Sequence, residues 1–222
     1  MLLLAFDTAT PAITVAVHDG SSVVADASGE GPMAHGELLA PAIRAAMTDA
    51  GAVMADLTDV AVGVGPGPFT GLRVGVVTAL TLGSTLGLAT HGVCTLDILA
   101  ADLAQEGTID GEFLVATDAR RKEVYWAYYR PSSDSADGRA ERLDGPHVSY
   151  PSDLAELHPG MPVLGRGAAL YPDVLSTLGG PVDPSAAALA RAVSDGSVDE
   201  LPLEPLYLRR PDAAPLVVPE RA

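Results

Sequence analysis

The chain has 222 residues, with 13 Lys plus Arg against 29 Asp plus Glu, a formal net charge of −16, and 48% of its residues are hydrophobic. This excludes a wholly disordered chain and argues against a dedicated nucleic-acid binder, which neutralises phosphates with Lys and Arg. The length suits one large domain or two lobes of about 100 residues each, and the single cysteine, Cys94, excludes an internal disulfide framework or a Cys-based zinc site and suits a reducing cytosol.

The apolar start, Leu2 to Phe6, reads as a strand and not a signal peptide, because no basic segment precedes it and Asp7 interrupts it. Ile13, Val15 and Val17 alternate with Thr14, Ala16 and His18, a half-buried strand. Asp19-Gly20 is a hairpin signal, and Ser21–Ala27 returns as a third strand. A Gly/Pro-rich loop, Gly29–Gly36, precedes an amphipathic helix marked by Leu38, Leu39, Ala42, Ile43, Ala46 and Met47, with Gly51 at its C-cap. Asp59–Gly65 is a buried strand. It enters a turn, Pro66 to Gly71, that opens a second helix to about Leu86, with Thr70 able to cap it. Leu88–Val93 is a strand and Thr95–Gln105 a helix.

In the second half, Phe113–Thr117 and Glu123–Tyr129 are strands, and Pro131–Gly145 is a polar loop or irregular hairpin tip. Ser152–Leu157 is a short helix with Ser152 as N-cap. Val163–Gly165 is a strand, Gly167–Leu178 a helix broken near Pro172, and Ser185–Val193 an Ala-rich helix. The tail from Pro202 is Pro-rich and expected at the surface or partly mobile. The order predicts two α/β lobes with mixed sheets, divided as residues 1–107, 108–205 and a tail, 206–222.

Three stretches carry candidate chemistry. Asp7-Thr8-Ala9-Thr10 joins two strands, and Asp7, Thr8 and Thr10 could hold a metal-bound phosphate or simply bond their own backbone in an Asx/ST turn. In the second helix Gly71, Gly75, Ala79, Gly83 and Gly87 recur every fourth residue. Each glycine costs a helix on the order of 1 kcal/mol against alanine, so the ridge needs a reason: close packing on its own lobe, or a seam with a second chain. In the seam reading Val76, Val77, Leu80 and Leu86 serve the core. The seam would comprise Thr70, Gly71, Arg73, Val74, Gly75, Thr78, Ala79 and Gly83, and Gly75→Leu or Ala79→Leu would break pairing without unfolding the chain. Arg120-Arg121-Lys122, beside Tyr125 and Trp126, is a solvated turn or a contact for RNA or an acidic partner. Val74 to Leu96 carries no Asp, Glu, Lys or Arg, but its six Ser/Thr and four Gly favour a buried helix plus strand over a membrane span.

No histidine pair has metal-ligand spacing: His35 is followed four residues on by Leu39. No Walker loop, Gly-x-Ser-x-Gly or nucleophile–base pair is present, and Cys94 reads as a small buried hydrophobe.

The opening Leu3-Leu4-Ala5-Phe6-Asp7-Thr8-Ala9-Thr10, the block Gly63-Val64-Gly65-Pro66-Gly67-Pro68-Phe69-Thr70-Gly71-Leu72-Arg73, the stretch Asp118 to Tyr125, and Pro205-Leu206-Tyr207-Leu208-Arg209 together resemble the TsaB/YeaZ family. This is the glycoprotease-like subunit of the bacterial machinery that makes N6-threonylcarbamoyladenosine in tRNA. The resemblance runs the length of the chain. It implies a two-lobed actin-like, sugar-kinase ATPase (ribonuclease H-like) α/β fold with mixed sheets flanked by helices. It implies a non-catalytic dimerisation and activating subunit, with no cofactor and no metal, in the cytoplasm and not at a membrane. The partners it implies are the catalytic paralogue TsaD and the ATPase TsaE, with a homodimer when alone and tRNA met only through the complex. Catalytic relatives carry His-x-x-x-His on the first helix; here Leu39 replaces the second ligand. Asp7, Thr8 and Thr10 then form a degenerate phosphate loop, and the helix ridge becomes the docking seam. The alternative is a stand-alone ATP-binding or metallohydrolase enzyme of the same fold.

Overall fold

The computed structural model describes residues 1–30, 35–107, 109–132 and 139–209. The first sheet begins with an antiparallel meander of β1 (Leu3–Asp7), β2 (Ala12–His18) and β3 (Val23–Glu30). After α1 (His35–Asp49), β4 (Asp59–Gly65) pairs parallel to β1; after α2 (Phe69–Leu86), β5 (Ala89–Cys94) pairs parallel to β4. Then α3 (Thr95–Gln105) leads to the second sheet. Its antiparallel strands are β6 (Phe113–Asp118), β7 (Val124–Pro131) and β8 (Ala140–Ser149). Beyond α4 (Pro151–Leu157) and α5 (Arg166–Leu170), β9 (Pro162–Leu164) and β10 (Ser176–Thr177) complete it in parallel. The second sheet, β8-β7-β6-β9-β10, thus repeats the order and polarity of β3-β2-β1-β4-β5.

The last helix and strand depart from a cut at residues 107/108. Helix α6 (Ala186–Asp195) packs on β1 and β2, and β11 (Glu200–Leu201) pairs antiparallel with β5, so both join the first sheet. Conversely Leu96, Leu99, Ala100 and Leu103 of α3 pack on Phe113, Val115 and Tyr129 of the second. Each sheet is covered by a helix from the other half, and the two helices meet: Arg191 Nε donates to Gln105 Oε1 at 2.7 Å.

Side-chain alternation explains this packing. Leu4, Phe6, Val15, Val17 and Val62 face α1 and α2. The opposite face bears Ala5, Ala16 and Ala61, small enough for the Ala-rich α6 to approach. Both faces are therefore dry, and every residue of β1 and β2 is buried.

Several expectations change. Residues 140–145, expected as part of a loop or irregular hairpin tip, belong to a strand, β8, at the sheet edge, where polar residues and Pro146 are tolerated; residues 133–138 of that loop lie outside the described residues, as do 31–34 of the first one. Tyr150, not Ser152, is the N-cap of α4, because Pro151 takes the first helical position. The helix expected over 167–178 ends at Leu170, before Pro172. The tail as far as Arg209 is packed: Leu206 N donates to Val64 O at 2.8 Å and its side chain contacts two core clusters. Residues 210–222 lie outside the described residues.

Candidate functional site

The Asp7–Thr10 turn and the Gly63–Arg73 block form one interlocked unit. Asp7 is fully buried; its Oδ1 accepts from Ala9 N at 2.7 Å and its Oδ2 from Thr95 Oγ1 at 2.8 Å. The Thr95 hydroxyl in turn accepts from Gly65 N at 3.2 Å. Thr8, also fully buried, donates through Oγ1 to Gly71 O at 2.8 Å. Thr10 is 3% exposed. A Cβ on Gly63 would lie 1.7 Å from Asp7 Oδ2, one on Gly67 2.3 Å from Ala9 O, and one on Gly75 2.5 Å from Thr8 Oγ1. The glycines of the block are thus the space into which the first turn fits. Of the two readings of Asp7, Thr8 and Thr10, the geometry shows Asp7 and Thr8 bonding within the chain.

This reverses the expected faces of α2 except at Val76, which is 1% exposed and in the core as expected. Gly71, Gly75, Ala79 and Gly83 are buried against this chain's own sheet, with Gly75 on Thr8 and Val62 and Gly83 on Thr90. Val77 and Leu80, assigned to the core from sequence, are 58% and 47% exposed. Among the other expected seam residues, Thr70 and Arg73 are exposed and Val74 and Thr78 half-buried. The helix starts at Phe69 with Pro68 as its N-cap, so Thr70 does not cap it. Gly75→Leu and Ala79→Leu therefore strike the core and cannot probe a seam. By length and composition α2 alone among the described helices could cross a membrane, yet its small face is built onto the sheet.

At the N-terminal end of α2 the tail forms a strap. Phe69 stacks on Tyr207 at 5.2 Å, the Arg73 guanidinium lies 3.9 Å over the Phe69 ring, and Arg73 Nε donates to Tyr207 Oη at 3.1 Å. Arg209 crosses to the other lobe, donating through Nη1 to Ala119 O at 2.9 Å and pairing with Glu123. Between strap and lobe lies a crevice of about 190 Å³ that Arg120 and Arg121 help to line.

The β6–β7 turn is topologically equivalent to the Asp7–Thr10 turn. Arg120, Arg121 and Lys122 are all exposed and all left-handed, with φ of 61°, 54° and 64°, a conformation costing side-chain-bearing residues roughly 1–2 kcal/mol each. It is held by Ala119 N to Glu123 O at 3.0 Å, Glu123 N to Arg120 O at 2.9 Å and Arg120 N to Asp118 Oδ1 at 2.7 Å.

No metal or nucleophile centre emerges among the described residues: no group of three His, Cys, Asp or Glu is placed to hold an ion. Leu39 is a core residue, 2% exposed; the His35 side chain lies outside the described set. Burial pushes the Cys94 thiol up to about 12, far from a reactive thiolate. Sequence reasoning missed a polar cluster beside it. Asp97 Oδ1 accepts from Tyr129 Oη at 2.7 Å and lies 3.3 Å from Arg142 Nη1. Burial raises the Asp97 pKa against the pull of Arg142. Two of its members were invisible because Arg142 sits in the stretch read as loop and Tyr129 in a strand of aromatic residues.

The profile of the family described as TsaD, tRNA N6-adenosine threonylcarbamoyltransferase, matches residues 31–169. A Mycobacterium tuberculosis protein is 44% identical over 97% of this chain and 95% of its own length. A Mycobacterium leprae protein is 42% identical over 97% of this chain, which spans 56% of that longer relative. The Escherichia coli tRNA threonylcarbamoyladenosine biosynthesis protein TsaB is 36% identical over 78% of this chain and 75% of its own. The solved structure of YeaZ from Pseudomonas aeruginosa superposes with a TM-score of 0.74 at 27% identity, over 93% of this chain and 99% of that one. With its two mixed sheets flanked by helices and this likeness in sequence and structure, the chain belongs to the TsaB/YeaZ family.

Proposed function

We propose that the chain acts in the synthesis of threonylcarbamoyladenosine in tRNA as a non-catalytic dimerisation and activating subunit in the cytoplasm. Its partners in this reading are a TsaD-type catalytic paralogue and the ATPase TsaE, and tRNA is met through the complex. The likeness to E. coli TsaB over most of both chains supports the pathway. The observation that carries the supporting, rather than catalytic, role is the first turn: Asp7 and Thr8 are fully buried and committed to internal hydrogen bonds, and apolar Leu39 stands in the core where a second metal ligand would be needed. The docking face moves from the small-residue ridge to the outer face of α2, where Val77 and Leu80 stand exposed without charged neighbours in the helix from Val74 to Leu86. Exposed apolar side chains on one helix face are the substance of a protein interface.

Co-purification with the TsaD-type paralogue, followed by a tRNA modification assay, tests this. The chain alone is expected neither to modify tRNA nor to hydrolyse ATP appreciably, and to restore activity when the paralogue is added. Val77→Arg with Leu80→Asp should abolish pairing while leaving the circular dichroism and melting of the chain unchanged. Retained pairing would refute the face; appreciable ATP hydrolysis by the chain alone would refute the role.

A further inference from the structure

A second cavity, unrelated to α2, opens where α3, the β7–β8 hairpin and the segment joining α6 to β11 converge. Its volume is about 740 Å³, within the range of sites for small molecules. Its walls are charged: Arg130, Arg139 and Arg142 face Asp97, Glu141 and Asp199. An apolar ligand would strand these groups without water, and a polyanion would meet three carboxylates.

The floor holds two polar groups with unused capacity. Ser197 is 6% exposed, and its buried Oγ has no hydrogen-bond partner among the described residues. Arg142 Nη1 is buried and lacks a hydrogen bond; its approach to Asp97 Oδ1 is an ion pair at 3.3 Å. At the rim Arg139 Nη2 stands 3.5 Å from Asp199 Oδ1. Both Arg–Asp pairs border the same space, and buried polar atoms left unpaired ask for a partner.

We propose that this cavity binds a small zwitterion of the α-amino-acid class, its carboxylate on Arg142 and Ser197 and its ammonium toward Glu141 and Asp199. A carboxylate supplies an acceptor for the Ser197 hydroxyl and a second anionic partner, beside Asp97, for the Arg142 guanidinium, which it can engage as a fork. The ammonium offsets the acidic rim, which distinguishes this ligand from a plain dicarboxylate. The site lies in the walls of α3 and β8 and uses neither the first turn nor the outer face of α2, so it stands or falls separately from the pairing proposed above.

The test is calorimetric titration and thermal shift of the full chain with each proteinogenic amino acid in turn, alongside succinate, which lacks the ammonium, and ethanolamine, which lacks the carboxylate. At least one amino acid should bind saturably at one site and raise Tm, with succinate and ethanolamine at least tenfold weaker. Ser197→Ala should weaken binding roughly tenfold, the scale of one hydrogen bond to a charged group, with the Tm of the free chain unchanged. Arg142→Lys, which keeps a cation beside Asp97, should weaken it further, and Lys122→Gly, outside the cavity, should leave it unchanged. Failure of every amino acid to bind, succinate binding as tightly, or undiminished affinity in Ser197→Ala would each overturn the proposal; the last variant decides the matter if Arg142→Lys does not fold.

Discussion

The two sheets share one strand order, yet their equivalent turns have opposite characters. In the first, Asp7 and Thr8 are sealed beneath Gly63, Gly67 and Gly75, and their polar side chains bond inward. In the second, Arg120, Arg121 and Lys122 stand in solvent on a strained left-handed backbone. The first sheet is also covered on both faces and closed at one edge by α6 and β11, elements drawn from the end of the chain. One hairpin position is thus a buried, internally bonded turn while its counterpart is an exposed cationic loop. Topology alone therefore does not predict whether a turn at this position is buried or exposed; in the first sheet the space left by Gly63, Gly67 and Gly75 lets the turn sink into the fold.

The largest effects should come from breaking the buried turn. Gly63→Ala would drive a Cβ to within 1.7 Å of Asp7 Oδ2, expelling the carboxylate from its bonds to Ala9 N and Thr95 Oγ1. The combined overpacking and lost hydrogen bonding should cost roughly 3 kcal/mol or more, seen as a much reduced urea midpoint. A change below about 1 kcal/mol would show that the buried turn does not hold the fold. Asp7→Ala should follow, at about 2–3 kcal/mol, because it leaves the Thr95 hydroxyl and the Ala9 amide buried without their acceptor.

The opposite turn should respond with the opposite sign. Arg121→Gly and Lys122→Gly relieve left-handed strain that glycine does not feel, while giving the unfolded chain more entropy. The expected balance is a stability gain of up to about 1 kcal/mol per site, against the large loss in the first turn. A loss of more than about 1 kcal/mol in either variant would mean that the cationic side chains themselves hold the turn.

Much of the fold was legible because its signals are local. Thr95–Gln105 is a helix with the expected bounds, and the alternation in Ile13, Val15 and Val17 reads as a strand, although Thr14, Ala16 and His18 are buried too and the strand is not half-buried as expected. The ridge of α2 was legible as a pattern but not in its direction. Small residues state that something approaches closely, and only the fold reveals that the visitor is this chain's own Thr8 and Thr90. Likewise β8 hid behind Asp144, Gly145 and Pro146, since an edge strand need not show an apolar stripe. The Asp97, Tyr129 and Arg142 cluster spans 45 positions in sequence (142 − 97 = 45), and no spacing rule joins three elements that meet only after the lobes close.

The smallest effect concerns how the first sheet is closed. His91 on β5 bridges Asp59 on β4, 3.1 Å from Nε2, and Glu200 on β11, 2.9 Å from Nδ1. Burial alone would lower its pKa, but the hydrogen bonds of Glu200 and Asp59 outweigh this and hold it above 6.5. The imidazolium is thus favoured in the folded state, so its contribution is full below the unfolded pKa near 6.5 and fades as pH rises through the raised folded value. Glu200 is 55% exposed, so solvent screening keeps the contribution below about 1 kcal/mol. For a chain of this size the wild type should lose roughly 1–2 °C more of Tm between pH 6 and pH 8.5 than His91→Gln does. Parallel pH profiles for the two proteins would show that β11 stays on β5 through its backbone pairing, Glu200 with Val93 and Leu201 with Gly92, and that the histidine bridge adds nothing to the closed edge that distinguishes the first sheet from the second.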